Sequence, residues 1–206
     1  MSERASREPI HRIAIIGFGE AGGILGHDLA ARGLEISTYD ILFDSRAARD
    51  AMLAKARGSK VRAAENLADA ARDAQLVISA VTASSALGVA IDAARLLAAG
   101  QTFLDINSVS PGTKQRMAEH FAKSPAHFVE AAVMAAVPPQ RLKVPMLLGG
   151  ARNMVASMLA YQVNLVSLDW PLGGALAVAL LVFTLTVVWL GQRGAGLVLA
   201  GRGARP

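Results

Sequence analysis

The sequence contains no cysteine. That excludes a disulfide-stapled secreted scaffold, a thiolate zinc site, thiol redox chemistry and a cysteine nucleophile. Aromatic residues are scarce at 5%, and charged residues make up only 18%. With 53% hydrophobic residues, such a chain is not intrinsically disordered. The formal net charge is +5, yet no Lys/Arg run with interleaved aromatics occurs, so nucleic-acid binding is not expected. The first twelve residues, MSERASREPIHR, have no apolar core, and no secretory signal peptide is read there.

What is present divides in two. Up to Gly150, short apolar runs alternate with polar, helix-patterned stretches. The runs at 13–16, 35–39, 76–81, 102–106, 128–134 and 145–148 suit strands buried on both faces of a parallel sheet. The stretches at 20–32, 45–57, 65–72, 84–99 and 111–123 suit helices. Strand and helix in series predict an α/β, doubly wound, Rossmann-type parallel sheet over residues 10–150. Gly33 and Gly100 fall where helix ends favour positive φ, and Ser110-Pro111 reads as a helix cap and first turn.

The sharpest motif is IAIIGFGEAGG. Gly17, Gly19 and Gly22 form G-x-G-x-x-G directly after a strand and at the start of a helix. The first glycine allows a tight turn, the second leaves space for a pyrophosphate, and the third lets helix and sheet pack closely. Free N–H groups at the helix start, from the turn Gly17, Phe18, Gly19, Glu20, Ala21 and Gly22, then face the phosphates. Asp40 ends the second run, 18 residues beyond Gly22, where an acidic side chain binds the adenosine ribose hydroxyls and repels a 2′-phosphate. The cofactor expected is NAD or NADP, with NAD favoured; Arg46 and Arg49 are near enough to offer phosphate contacts or simply to form a solvated helix face.

Loops after later strands should line the same crevice. Val81 and Thr82 follow the third run and can lie along the cofactor; the alternative is a helix cap at Ser84. Asn107 and Ser108 end the fourth run and are candidate substrate contacts; the alternative is turn chemistry leading into Pro111. No metal ligand set and no catalytic residue is assigned.

These segments together resemble the N-terminal domain of the β-hydroxyacid dehydrogenases, which include 6-phosphogluconate and 3-hydroxyisobutyrate dehydrogenases. The matching residues are GFGEAGGILGHDLAARG at 17–33, LVISAV at 76–81, DINSVSP at 105–111 and FVEAAVMAAVPPQRLKVPMLLGG at 128–150. The resemblance implies an oxidoreductase acting on a small hydroxy acid, located in the cytoplasm. Ser108 falls near the family's hydroxyl residue that contacts the substrate carboxylate. The wording NSVSP, with EAAVMAAVPP, is more similar to a less characterised branch of NAD(P)-dependent oxidoreductases. The usual glycine-rich turn after the fifth run is replaced here by EAAVMAA. In the family, an all-α domain follows and supplies a lysine as acid/base, and members are dimers whose helices interlock. In this chain the last lysine is Lys143, and residues 151–206 contain no Lys, His or Glu. The domain therefore reads as truncated before its catalytic helix, with a homodimer partner as one source of the missing lysine.

Only four of the 21 Lys+Arg and one of the 16 acidic residues fall after Gly150. Residues 170–192, WPLGGALAVALLVFTLTVVWLGQ, carry no charge and are long enough to span a bilayer, with Trp170 and Trp189 near the ends. Residues 154–193 resemble the last segment and final transmembrane helix of a bacterial ABC transporter permease. The expectation is a C-terminal apolar transmembrane helix and contact with the inner membrane. It leaves two alternatives to an enzyme domain: a non-enzymatic membrane-anchored dinucleotide-binding module, or a fusion product carrying a permease fragment. Arginines after the span place the tail in the cytoplasm and the preceding chain outside, opposite to where a nicotinamide domain belongs. That conflict favours a join near residue 150.

Overall fold

A computed structural model of the chain describes residues 9–150. The expected division at residue 150 and the expected span at 170–192 concern residues outside that range. Among the described residues, no helix is long and apolar enough to cross a membrane.

Among the described residues, seven strands form one sheet: β1 (Arg12–Ile16), β2 (Glu35–Tyr39), β3 (Arg62–Ala63), β4 (Leu76–Ser79), β5 (Thr102–Asp105), β6 (His127–Val133) and β7 (Met146–Gly150). Six helices lie between them: α1 (Glu20–Ala31), α2 (Arg49–Gly58), α3 (Leu67–Ala71), α4 (Ala83–Leu96), α5 (Pro111–Phe121) and α6 (Val137–Gln140). The strand order is β3-β2-β1-β4-β5-β6-β7. β1 pairs in parallel with both β2 and β4, so the chain reverses its direction of travel across the sheet beside β1. A crevice opens at such a switch point, outside the carboxyl ends of the strands.

The apolar runs lack strict alternation because both faces of the sheet are covered. Ala14 and Ile16 of β1 pack into one core with residues of α3, α4 and α5. Ile13 and Ile15 pack into the other, against α1 and α2 residues such as Leu25 and Ala56. Period two thus puts apolar side chains on both sides of one strand. The first core holds a stack of Phe103, Phe121 and Phe128, with ring centroids 5.0 to 6.3 Å apart. At the punctuation points, Gly33 and Gly100 have φ of +85° and +88°, and Ser110 Oγ accepts the Thr113 N–H at the start of α5.

Four details depart from the sequence reading. β3 is only two residues long and has no apolar run to announce it. The helix expected over 45–57 begins at Arg49, because a 3₁₀ turn at Ile41–Phe43, capped by Asp40, takes up the chain first. α4 begins at Ala83, with Thr82 rather than Ser84 at its cap position. β7 runs antiparallel to β6, so the sheet is not wholly parallel. The connection between them holds only α6 and a 3₁₀ turn at Arg141–Lys143, which lack the length of a crossover helix.

That turn is tied to α1. Arg141 adopts φ +53°, and its Nε donates to Asp28 Oδ2 at 2.9 Å while Nη2 donates to Oδ1. The guanidinium holds the Asp28 carboxyl below the ordinary carboxylate range, against the opposing effect of its partial burial. A depressed folded-state value stabilises the fold above the unfolded carboxyl's pKa, and the contribution is lost as pH falls. Asp28→Asn should therefore lower the urea midpoint at neutral pH, and the gap to wild type should close below about pH 4.

Candidate functional site

The turn between β1 and α1 is built by what its glycines lack. Gly17 sits at φ +92°, and a Cβ there would lie 2.4 Å from the Ala80 carbonyl oxygen and 2.9 Å from Val81 Cγ1. A Cβ on Gly22 would lie 2.0 Å from the Gly17 carbonyl oxygen. Both contacts involve backbone that cannot move aside, so these two glycines allow close packing of turn, helix and β4. Gly19 is different: a Cβ there would meet nothing within 4 Å. Space is open over the middle glycine, where an approaching ligand needs it.

The N–H groups of this turn are divided. Gly17 N–H donates to the Tyr39 carbonyl at 2.8 Å, and Phe18 N–H donates to Asp40 Oδ2 at 2.6 Å. Gly19 occupies the cap position of α1, and no side chain caps this end. The N–H groups of Glu20, Ala21 and Gly22 lie in the first turn, where a helix has no acceptors of its own. Glu20 is exposed, Ala21 partly buried and Gly22 buried. Phe18, expected from the sequence among the ligand contacts, turns inward: its side chain is fully buried and its N–H is taken.

Asp40 lies at the end of β2, buried, with both oxygens in use. Oδ2 accepts from Phe18 and Oδ1 accepts the Leu42 N–H at 2.9 Å. A carboxylate has about four lone-pair sites, so each oxygen keeps one for a further donor. Ile41, the next residue, is 76% exposed. Arg46 is exposed, and the Arg49 guanidinium donates to the Phe43 carbonyl at 3.0 Å. From α2, the exposed Lys55 donates through Nζ to the carbonyls of Phe18 and Gly19, at 2.7 and 2.6 Å.

A second group of polar side chains gathers at the ends of β4 and β5. Asn107 Nδ2 donates to Ser79 Oγ at 2.8 Å and to Asp105 Oδ1. Asp105 Oδ2 accepts from Lys114 Nζ, which also donates to the Asp105 carbonyl at 3.2 Å. All four residues are buried, and buried Glu130 stands opposite Asp105 in the β5–β6 register. An ionised Asp105 is acceptor only, so it fixes the Asn107 amide: nitrogen faces the carboxylate, and Oδ1 is left as the group able to receive a ligand's hydrogen. Ser108 beside it is exposed, as is Thr82, whose hydroxyl lies 3.1 Å from those of Ser84 and Ser85. Val81 is partly buried.

Two lysines went unread in the sequence. Lys114 shares the buried face of α5 with Pro111, Met117 and Phe121, at helical spacing. A cation on an apolar stripe demands a buried counter-charge, and that pattern was the available signal. Lys55 is exposed and follows partly buried Met52 by three residues, which places it at the edge of the packed face of α2. Lys114→Met leaves Asp105 charged, buried and without its cation. It should cost about 3–5 kcal/mol of stability by urea unfolding, and Asp105→Asn combined with Lys114→Met should recover part of that loss.

The chain matches the model of the NAD binding domain of 6-phosphogluconate dehydrogenase over residues 12–160. A search of the curated proteins returns no match. Among solved structures, it is 38% identical to a conserved hypothetical protein from Sinorhizobium meliloti 1021, with a TM-score of 0.66, covering 76% of this chain and 51% of that one. It is 17% identical to the 3-hydroxyisobutyrate dehydrogenase of Mycobacterium tuberculosis, with a TM-score of 0.61, covering 75% and 50%. It is 18% identical to a reductive aminase from Aspergillus terreus in complex with NADPH and ethyl levulinate, with a TM-score of 0.58, covering 94% and 77%. The chain spans about half the length of the first two. At 17–18% identity, likeness shows the fold alone, whereas the model match and the 38% relative show kinship. On that ground the chain belongs to the family of the NAD-binding domain of 6-phosphogluconate dehydrogenase.

Proposed function

We propose that residues 10–150 are the cofactor-binding half of an oxidoreductase acting on a small hydroxy acid, and that NAD is preferred to NADP. The family is one of NAD(P)-binding domains. The observation that carries the reading is the open space over Gly19, bordered by the uncapped start of α1. A diphosphate fits that position in size, charge and hydrogen-bonding need. The nicotinamide supplies a hydride acceptor and donor when bound. Gly19, Glu20, Ala21 and Gly22 hold the diphosphate, and Val81 and Thr82 flank it.

The preference for NAD rests on Asp40 and Ile41. The free lone pairs of a buried carboxylate accept ribose hydroxyls and repel a phosphate, and an exposed isoleucine follows where an arginine would receive that phosphate. On the substrate side, Asn107 Oδ1 accepts the hydroxyl hydrogen, because both amide hydrogens are engaged by Ser79 and Asp105. The Ser108 hydroxyl is left to the substrate carboxylate. An acceptor at Asn107 receives an amine hydrogen equally well, which supports a second reading, reduction of an imine.

Oxidising a carbinol also requires a base for its proton. Lys114 is held by Asp105, and residues 151–206 offer no Lys, His or Glu. An interlocked copy of a relative with an α-domain is one source of that base. The uncharged run at 170–192 supports a membrane anchor for the same domain, tested by whether the intact chain pellets with membranes.

Titration of the full chain should give binding of NAD, with NADP weaker. Gly19→Val should abolish it while leaving the melting temperature near wild type, since the added side chain enters open space; Gly22→Val should lower the melting temperature sharply. Nucleotide affinity unchanged in Gly19→Val would refute the assignment. A panel of hydroxy acids with saturating NAD should show no turnover above background; a steady rate would show that the chain carries its own base.

A further inference from the structure

We propose that Lys55 is a positioning residue for the diphosphate: from the carbonyl side of the glycine turn it aligns and polarises the two peptide units whose N–H groups face the ligand. This rests on the dinucleotide reading above and adds a residue outside the glycine motif to it.

The geometry is specific. Lys55 Nζ donates to the Phe18 carbonyl at 2.7 Å and to the Gly19 carbonyl at 2.6 Å. Each carbonyl belongs to a peptide unit whose other end is the N–H of the next residue, Gly19 or Glu20. A trans peptide points its C=O and N–H in opposite directions. No cis peptide occurs among the described residues. An ammonium that fixes the two carbonyls on one side therefore fixes the two N–H groups on the other. A charged donor on the carbonyl also draws electron density from the N–H, and hydrogen bonds in series strengthen one another. The positive charge itself lies within one peptide's width of the anion's place.

Two further contacts hold the lysine there. Its Nζ lies 5.1 Å from the centroid of the Phe18 ring. That ring is fully buried, so the cation has a fixed aromatic face to rest on. Gly23 supplies the passage: a Cβ at this position would lie 2.6 Å from Lys55 Nζ and 2.7 Å from its Cε. Gly23 stands outside G-x-G-x-x-G and in the first turn of α1, where glycine is less favourable than alanine. The contact with Lys55 accounts for it.

The test uses the full chain and three probes, NAD, ADP-ribose and adenosine, titrated calorimetrically at low and moderate salt. Lys55→Met should weaken NAD and ADP-ribose by about tenfold, the size of losing hydrogen bonds to a charged group, and leave adenosine unchanged. Its diphosphate affinity should also depend less on salt than wild type. Lys55→Arg should restore most of the loss. Gly23→Ala keeps the charge but displaces it; it should weaken NAD while the melting temperature stays level or rises. NAD affinity within about twofold of wild type in both Lys55→Met and Gly23→Ala would overturn the proposal. Should the wild-type chain bind none of the probes, the dinucleotide reading fails. The alignment is then judged from the amide proton signals of Gly19 and Glu20: an upfield move in Lys55→Met supports it, and unchanged signals overturn it.

Discussion

The fold turns on one constraint, the fixed polarity of peptide units where β1 gives way to α1. A helix start leaves N–H groups without acceptors, and burying such groups unpaired costs free energy. Proteins commonly close this end with a side-chain cap. Here no side chain caps α1, and the cap position is a glycine under open space. The strain-free way to keep such an end is to leave it to an anion. The surroundings support that arrangement: Gly17 and Phe18 have their N–H groups satisfied by Tyr39 and Asp40, so only the groups facing the open space remain.

The second centre, at the ends of β4 and β5, works by the opposite principle. Its polar groups are buried and paired with one another, Lys114 with Asp105 and Asn107 with both Asp105 and Ser79. Such a network is a weak source of net stability, because desolvation offsets most of the attraction. Its effect is orientation. A carboxylate that can only accept leaves one way for the amide to face, so the side-chain oxygen of Asn107 is presented without a competing rotamer of equal energy.

Much of this was legible in the sequence because the physics is local. G-x-G-x-x-G between an apolar run and a helix marks a tight turn, in which Gly22 packs on Gly17, and Asp40 lies at the predictable end of the next strand. The two-sided burial of the sheet was legible in runs such as Ile13–Ile16, whose successive residues enter different cores. What was not legible depends on the third dimension. β3 is too short for a pattern, and the reversal of β7 follows from a connection that only the folded chain defines. The Phe18 N–H is taken by Asp40, 22 residues away. Lys55 meets the glycine turn across 36 and 37 residues of sequence, and no spacing rule reaches that far. Lys114 could have been read, since its helical spacing with Met117 and Phe121 already placed a charge on a buried face.

The two centres together limit what the described domain does by itself. One is an uncapped helix start under open space, and the other is a buried, paired network beside the exposed Ser108. Lys114 is committed to Asp105, through both its carboxylate and its carbonyl. Asn107 and Ser108 are not bases. On the proposed reading, binding and orientation of a dinucleotide and a small polar substrate are separable from the proton transfer that completes hydride exchange. On that reading the described domain sets the geometry of the reaction, by the polarity of its glycine turn and the fixed face of Asn107.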